Sequence, residues 1–492
     1  MIFTYLLHHY RATGNSHGLF MVTHTLDKMA TGGIYDHLGG GFHRYSVDRF
    51  WLVPHFEKML YDQAQLATTY LKAFQITGKD RFALVARETL DYVLRDLTDH
   101  EGGFYSGEDA DSPQPDQPET TKEGAFYLWS LDEITTLLEP AAASLICFHY
   151  GIENDGNIKS DPHNEFGSGN IVHEEYSARE SARHFHLSEE EIGQQLAKAR
   201  QTMFQARLQR QRPHLDDKIL TSWNGLMISA LANGAQILRD DRYRAAAQKA
   251  ATFLLTRLRT PTGTLLHRYR DGEAGTEAHL ADYAFLIQGL LDLYNADLDR
   301  GWLTTAIELS NTQADLFGDR KAGGFFDTST LDPHRIVRLR SEYEGAEPGG
   351  NSTAALNLLR LANLTGTDQW QKMAEDTIGS VLPLLTQEPL MMPQMLAALH
   401  SLKQGGGLVV IAGNLRKTDT TALLQEVQNR FLPWLSLIQI DEGGASEEML
   451  RLFPSLAGKT TINGRATAYV CRNRSCQEPV STPEDLGKLL VP

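Results

Sequence analysis

Residue types suited to chemistry are concentrated in one stretch, residues 39–65, with the sequence GGGFHRYSVDRFWLVPHFEKMLYDQAQ. Its leading glycines allow backbone conformations that are closed to other residues. Histidines, carboxylates and aromatic rings follow, and this mixture suits a sugar-sized polar ligand. The stretch predicts the lining of a ligand pocket, and the alternative is a structural loop held by its own salt bridges. Its candidate residues are His43, Arg44, Trp51, His55, Glu57, Tyr61 and Asp62.

Further polar clusters recur along the chain, in GGFYSGEDADS, HLDDKILTSWNG, TEAHLADY and RSEYEGAEPGGNS. One such cluster alone would usually be structural, but their recurrence at the same point of successive segments favours a shared site. The candidates that they add are Glu108, Asp109, Asp111, Asp217, Lys218, Trp223, Asn224, His279, Asp282, Tyr283, Glu342, Glu344 and Asn351.

Three of these residues are suited to proton transfer at carbon, because imidazole titrates near neutral pH. They are His43, His55 and His279. The remaining predicted catalytic groups are carboxyls whose pKa values a pocket could push apart. They are Glu57, Glu108 and Asp109. An inverting glycosidase would need two carboxyls ~6.5–9.5 Å apart, a distance that a sequence does not contain.

Other chemistries have no support in the sequence. It contains no GxSxG, HExxH or P-loop pattern, so it gives no reason to expect a serine hydrolase, a zincin or an NTPase. The acidic residues after Gly102 have no recognised metal-ligand spacing. We therefore predict neither a metal nor a cofactor.

The chain is built from a repeated unit, which is an apolar helix, a short polar turn and a more polar amphipathic helix. Copies begin at Gln65, Leu226, Ala284 and Ala354, and the opening residues fit the same template. A sixth, divergent copy can be placed between residues 131 and 210. Apolar residues recur with helical period in each copy. Six such hairpins predict a mainly α fold, an (α/α)6 toroid, and an open solenoid is the alternative.

A polar residue precedes each apolar run, and equivalent positions on the inner helices of a toroid point to the same end. These residues are Asp62, Asn224, Asp282 and Asn351. They are expected to converge at one mouth of the barrel, although helix capping by Asp and Asn explains the same pattern. From about residue 386 the pattern changes to short β runs and helices. We predict a barrel over 1–386 and a small α/β domain over 387–492.

Composition narrows the classes of partner. The 492 residues include 46 basic and 62 acidic side chains, for a net charge of -16, which opposes binding to a nucleic-acid backbone. No apolar run reaches the ~18 residues of a membrane span. The three cysteines, Cys147, Cys471 and Cys476, form neither a disulfide framework nor a redox CxxC pair. A cytoplasmic protein that binds neither nucleic acid nor membrane is expected.

Five segments resemble the YyaL family, also called spermatogenesis-associated thioredoxin-like proteins. They are GGIYDHLGGGFHRYSVDRFWLVPHFEKMLYDQAQL, GGFYSGEDADS, DDKILTSWNGLMISALA, LADYAFLIQGLLDLY and EPGGNSTAALNLLRLA. The resemblance implies a six-hairpin glycosidase-like toroid, similar to N-acylglucosamine 2-epimerase and cellobiose 2-epimerase barrels. Full members begin with a thioredoxin-like domain, which this sequence does not contain. It is then a barrel-only form, a truncation, or one half of a split pair.

These observations predict a carbohydrate-active barrel with a small sugar-like substrate. Epimerase-like or isomerase-like proton transfer is preferred, because histidines as well as carboxylates occupy the predicted pocket positions. A glycoside hydrolase is the first alternative. The second is a non-catalytic barrel that binds a sugar, a peptide or a separately encoded thioredoxin-like domain.

Overall fold

The computed structural model describes residues 1–114, 117–159, 166–332, 336–472 and 475–490. Its helices are α1 (Ile2–Thr13), α2 (Ser16–Thr31), α3 (Leu60–Thr77), α4 (Asp80–Asp96), α5 (Leu131–Leu137), α6 (Pro140–His149), α7 (Ala178–Phe185), α8 (Glu189–Arg207), α9 (Thr221–Leu238), α10 (Asp241–Arg257), α11 (Leu280–Asp297), α12 (Arg300–Phe317), α13 (Gly350–Thr365), α14 (Asp368–Gln387), α15 (Pro393–Gln404), α16 (Thr418–Gln428), α17 (Glu447–Leu452) and α18 (Pro483–Leu489). Its strands are β1 (Tyr45–Ser46), β2 (Pro54–His55), β3 (Lys58–Met59), β4 (Gly107–Glu108), β5 (Asp111–Gln114), β6 (Gln117–Glu123), β7 (Leu215–Asp216), β8 (Ile219–Leu220), β9 (Leu266–Arg270), β10 (Glu273–Glu277), β11 (Gly407–Ala412), β12 (Leu435–Ile440), β13 (Thr467–Arg472) and β14 (Ser475–Cys476).

A closed ring of helices forms the centre of the molecule. Helices α1, α3, α9, α11, α13 and α15 pack each against the next, and α15 returns to α1. Helices α2, α4, α10, α12 and α14 pack outside the inner helix that precedes each of them. The inner helices are apolar on several sides, as helices with neighbours all round must be. The predicted (α/α)6 toroid is confirmed, and the contact between α15 and α1 excludes an open solenoid.

The sixth inner helix of the ring lies elsewhere than the sequence predicts. Helices α5 to α8, in the region predicted to hold it, pack on one another around their own apolar core. Helix α15 takes the sixth inner position instead. Strand β11 begins three residues after the end of α15, so no amphipathic outer helix follows that helix. The two-helix repeat in the sequence therefore does not reveal α15 as an inner helix. The ring thus extends beyond residue 386, and the division of the chain into domains there stays a prediction.

The turns within three hairpins follow from a Thr-Gly pair. Helices α1, α3 and α13 end at Gly14, Gly78 and Gly366, which have φ values of 69°, 68° and 70°. This left-handed conformation costs glycine less than any residue with a Cβ atom. The polar turns TGN, TGK and TGT therefore set the point at which each inner helix stops.

The Gly-Gly-Phe loops between hairpins are fixed by amide side chains. Asn224 accepts a hydrogen bond from the N–H of Phe104 (2.8 Å) and donates one to its C=O (2.9 Å). Asn351 makes the same pair of bonds with Phe325, both at 2.8 Å. Gln63 does so with Phe42, at 2.8 and 2.7 Å. The sequence analysis predicted that Asn224 and Asn351 either cap a helix or face the barrel mouth. Their amides do neither, because they hold the preceding loop.

We expect substitution of Asn224 by alanine to destabilise the protein by about 2–3 kcal/mol, because two buried backbone groups of Phe104 lose their partner. Asn224 is fully buried, so water cannot replace it. Urea denaturation followed by circular dichroism measures the change. Asn154→Ala, at an exposed loop position, is the control. Equal stability of the two variants would contradict this role for the amide.

The C-terminal region is an α/β unit that closes one end of the barrel. Its sheet has the order β12-β11-β13-β14, with β11 parallel to β12 and antiparallel to β13. One face of the sheet packs against α16 and α18, and the other joins the barrel core near α13. The side chain of Gln428 donates to the C=O of Asn295, at the carboxyl end of α11 (3.0 Å). The small α/β unit that was predicted is therefore present, at the end opposite the helix N-termini.

Cys471 and Cys476 form a disulfide between β13 and β14, a pairing that the sequence analysis did not anticipate. The antiparallel pairing of these two strands sets the cysteines opposite each other.

No helix in the described part of the chain has the length and hydropathy needed to cross a bilayer.

Candidate functional site

The amino ends of the inner helices meet at one end of the ring, where eight side chains form a cluster that we call the mouth cluster. Each inner helix except α15 is followed by an antiparallel outer helix, so the inner helices run in the same direction. Contacts between side chains at the starts of α3, α9, α11 and α13 confirm this arrangement. The members of the mouth cluster are Arg44, Glu57, Tyr61, Asp62, Trp223, His267, Asp282 and Glu347.

Asp62 is a half-buried residue in the first turn of α3. Burial raises its pKa well above the usual range, and the charges of Glu347 and Glu57 act in the same direction, against that of Arg44. Its buried Oδ2 atom has no hydrogen-bond partner among the described residues. A carboxyl in this setting holds a proton at higher pH than usual and is suited to donate it.

His267, on β9, is held by Asp282, on α11. Its Nδ1 atom lies 2.9 and 3.1 Å from the two carboxylate oxygens. Asp282 also accepts hydrogen bonds from the backbone N–H groups of Ser222 (3.0 Å) and His279 (2.8 Å). The hydrogen bond from Asp282 raises the pKa of His267. Because a carboxylate only accepts, Nδ1 carries the proton, and the neutral ring presents Nε2 as a base.

Glu347 and the rings of Trp223 and Tyr61 connect Asp62 on α3 with the His267–Asp282 pair. Trp223 donates its indole N–H to Glu347 (2.8 Å), and its ring meets that of Tyr61 edge to face at 4.8 Å. Burial raises the pKa of Glu347, and the charge of Asp282 adds to this shift while His267 opposes it. Aromatic faces and a carboxyl of raised pKa beside an imidazole give both an apolar platform for a ring and an acid–base pair.

The rim of the mouth carries a chain of charged groups. Arg44 donates to Glu57 (2.7 Å), and Nε2 of His55 lies 3.3 Å from the same carboxylate. The Nδ1 atom of His55 lies 2.8 Å from Glu123. The predicted residues His55, Arg44 and Glu57 are thus brought together, with Glu123 as a partner that the sequence analysis did not single out.

His43 and Glu108 lie outside the mouth cluster. His43 packs between Phe56 and Tyr127 and donates from Nδ1 to the C=O of Phe56 (3.0 Å). Burial lowers the pKa of His43 to about 3. Glu108 accepts hydrogen bonds from Tyr92 (2.7 Å) and Arg212 (2.6 Å). The structure gives both residues structural partners and does not bring them to the barrel mouth.

The other predicted residues have mostly local partners. Asp217 pairs with Arg270 (2.7 Å) and Lys218 with Asp216 (2.6 Å). Three of them accept a hydrogen bond from a backbone N–H group: Tyr283 (2.8 Å), Glu344 (2.6 Å) and Asp109, whose donor is Asp111 (3.3 Å). Trp51 packs in the apolar cluster around α2. Glu342 and His279 are exposed, with the His279 ring 5.2 Å from that of His267.

Sequence reasoning missed His267 and did not select Glu347. His267 lies in the strand segment HRYR, where alternation places it on the face opposite Arg268 and Arg270. A period-two pattern could have singled it out, but its pairing with Asp282 depends on how β9 packs.

No group of three or more potential metal ligands occurs among the described residues.

A cavity of about 270 Å³ lies along the barrel axis, below the cluster. Its upper lining includes Ala64, Gln65, Leu226 and Pro348. Each of these lies within three residues of a member of the mouth cluster, so the cavity begins about one helical turn, or ~5 Å, below it.

Comparison with known proteins gives relatives along the whole chain. A human protein, spermatogenesis-associated protein 20, is 40% identical over 512 aligned residues, which cover 100% of this chain and 65% of the human protein. The chain is a homologue of spermatogenesis-associated protein 20. The mouse protein of the same name is 39% identical, with 99% and 64% of the two chains covered. This chain thus spans less than two thirds of the length of spermatogenesis-associated protein 20. No family model matches it.

Solved structures give weaker likenesses. Cellobiose 2-epimerase from Bacillus thermoamylovorans is 9% identical with a TM-score of 0.44, over 73% of this chain and 71% of that one. A sugar epimerase from a ruminal bacterium is 9% identical with a TM-score of 0.41, over 78% and 99%. The fold of this homologue of spermatogenesis-associated protein 20 therefore rests on its own closed ring of helices.

Proposed function

We propose that the barrel mouth binds a small sugar with a carbonyl group and transfers a proton at the carbon beside that group, as an epimerase or isomerase does. The observation that supports this most is the His267–Asp282 pair, whose two charges act on the carboxyl of Glu347, while Glu347 in turn acts on Asp62. Tyr61 and Trp223 supply aromatic surface for the ligand. Acid, base and platform thus occur in one cluster.

The residues divide into a base and an acid. Neutral His267 takes the proton from the carbon through Nε2, while Asp282 fixes its ring and stabilises the imidazolium that forms. Asp62 or Glu347 donates a proton to the carbonyl oxygen, so an enediol forms with no net charge transferred to the sugar. As a proton returns to carbon, a hydroxyl group of the enediol gives its proton back to the carboxylate, which restores a carbonyl group. Delivery to the opposite face of the same carbon, by the other mouth carboxyl, gives the epimer. Delivery to the neighbouring carbon, by the His267 imidazolium, gives the isomer.

Proton NMR in deuterated water tests the proposal. The purified chain is incubated with separate aldoses, ketoses and N-acetylhexosamines, and loss of the C2 proton signal or growth of an epimer signal is expected for at least one. A matched sample with heat-denatured protein corrects for spontaneous exchange. Absence of exchange across the panel, with the fold verified by circular dichroism, would contradict the proposal.

Hydrolysis of a glycosidic bond is the second candidate. Two half-buried carboxyls with raised pKa values, Asp62 and Glu347, favour it, since a glycosidase needs a protonated acid. Release of new reducing ends from oligosaccharides, without deuterium at C2, would support hydrolysis over epimerisation. Binding of sugars with neither reaction would favour a non-catalytic barrel. A separately encoded thioredoxin-like partner and a cytoplasmic location stay predictions from the sequence.

A further inference from the structure

The axial cavity has a lining that the mouth cluster does not use. All six inner helices, α1, α3, α9, α11, α13 and α15, border it, and residues 430–437 of the C-terminal unit border it at the other end. Its polar lining includes Thr69, Lys72, Gln236, Gln288, Asn357 and Arg360. Amides and hydroxyls at this density are unusual for the interior of a helical ring, where apolar side chains normally pack.

The charges in the cavity are unequally paired. Arg360 forms an ion pair with Asp292 (2.7 Å), which also accepts a hydrogen bond from Ser229. Lys72 has no such partner, since the part of the chain that the structure describes offers no hydrogen bond or ion pair to its Nζ atom. Burial lowers the pKa of Lys72, with Asp292 opposing the shift and Arg360 adding to it. A carboxylate placed beside Lys72 would oppose this shift and stabilise the ammonium form of its side chain.

Asn357 provides a second unfilled position. Its amide nitrogen donates to the C=O of Ala284 (2.7 Å), which leaves its Oδ1 atom buried and without a hydrogen-bond partner among the described residues. The residue is only 3% exposed and lines the cavity. A buried acceptor left unpaired costs about 1–3 kcal/mol, which a ligand hydroxyl would recover.

We propose that this cavity binds a small polyhydroxylated carboxylate, such as a sugar acid, with the carboxylate on Lys72 and a hydroxyl donating to Asn357. A carboxylate fits because the amine of Lys72 has no hydrogen-bond or ion-pair partner among the described residues, and an unpaired charge inside a protein is unfavourable. The volume of about 270 Å³ lies near the lower limit of small-molecule pockets, so the ligand is a single sugar unit.

This site is separate from the proposed reaction centre. Lys72 follows Asp62 by ten residues on α3, a rise of ~15 Å along the helix. The inference therefore stands whether or not the mouth cluster catalyses proton transfer.

Isothermal titration calorimetry with three probes tests the site. D-Gluconate carries both the carboxylate and the hydroxyls, D-sorbitol lacks the charge, and acetate lacks the hydroxyls. We expect gluconate to bind at least ~tenfold more tightly than either of the others, as for a buried charge pair. Equal binding of sorbitol and gluconate, or no heat with gluconate, would overturn the proposal.

Two variants locate the binding. Lys72→Met removes the charge at similar length, and Asn357→Asp places a negative charge where the ligand hydroxyl is expected; both should weaken gluconate binding at least ~tenfold. Lys198→Met, at an exposed position on α8, is the matched control. Melting temperatures identify any variant that fails to fold. Gluconate binding that is unchanged in both folded cavity variants would place the ligand elsewhere and overturn the assignment.

Discussion

Replacement of Asp36 by asparagine is expected to lower the free energy of unfolding by about 3–5 kcal/mol, the usual cost of removing one partner from a buried ion pair. Asp36 accepts a hydrogen bond from Lys58 (2.7 Å) and two from Arg207 (2.8 and 2.7 Å). The three side chains are all less than 5% exposed. The variant leaves the buried cations Lys58 and Arg207 without an ion-pair partner in direct contact, although the charge of Glu108 still acts on both and the shape of the side chain is kept.

Urea denaturation followed by circular dichroism measures this loss. Asp376→Asn is the matched control, because its partner Lys372 and the pair itself are exposed on the surface of α14. Surface pairs contribute little, so the control should unfold close to the wild type. Similar unfolding of both variants would show that Asp36 does not anchor the two cations as the structure indicates.

The pH dependence gives an independent check of the same group. Burial alone would raise the pKa of Asp36, but the charges and hydrogen bonds of Arg207 and Lys58 outweigh it and hold the pKa well below its ordinary value of 3.8. A depressed pKa in the folded state stabilises the protein above pH 3.8, and this contribution is lost as the pH falls toward the folded value. The difference between wild type and Asp36→Asn should therefore be constant near neutral pH and shrink in acid.

The ring of helices could be predicted from the sequence because it depends on local patterns. Thr-Gly turns end α1, α3 and α13, and helical apolar periodicity marks the inner helices. Helix α15 escaped prediction because its contacts with α1 and α13 are long-range. A lone helix followed by a strand has the same local pattern whether it closes a ring or begins a separate domain.

The candidate site was predicted only in part. The glycine-rich stretch was predicted to line a pocket, but His43 and Lys58 belong to a buried network whose other members, Asp36 and Arg207, are 171 residues apart. Residue type alone does not distinguish a buried charge from one in a pocket. Likewise, Asn224 and Asp282 occupy equivalent helix positions, yet one holds a loop and the other holds His267.

His267→Gln is expected to reduce deuterium exchange at C2 by about 10²–10⁴-fold, the contribution usual for a positioned acid–base group. Glutamine can still donate to Asp282 but cannot accept a proton near neutral pH. Exchange rates from proton NMR, on the sugar that the wild type turns over, give the ratio. His24→Gln is the control, since His24 is exposed on α2, and it should keep the wild-type rate.

The pH profile separates a base from a group that only supports the fold. The hydrogen bond from Asp282 raises the pKa of His267, so the imidazole stays protonated to higher pH than an ordinary histidine. Because only the neutral ring can take a proton from carbon, the wild-type exchange rate should rise with pH through this raised pKa. Residual exchange in His267→Gln should lack that inflection. If the variant keeps the same inflection, the base is another group, and His267 acts only by orienting its neighbours.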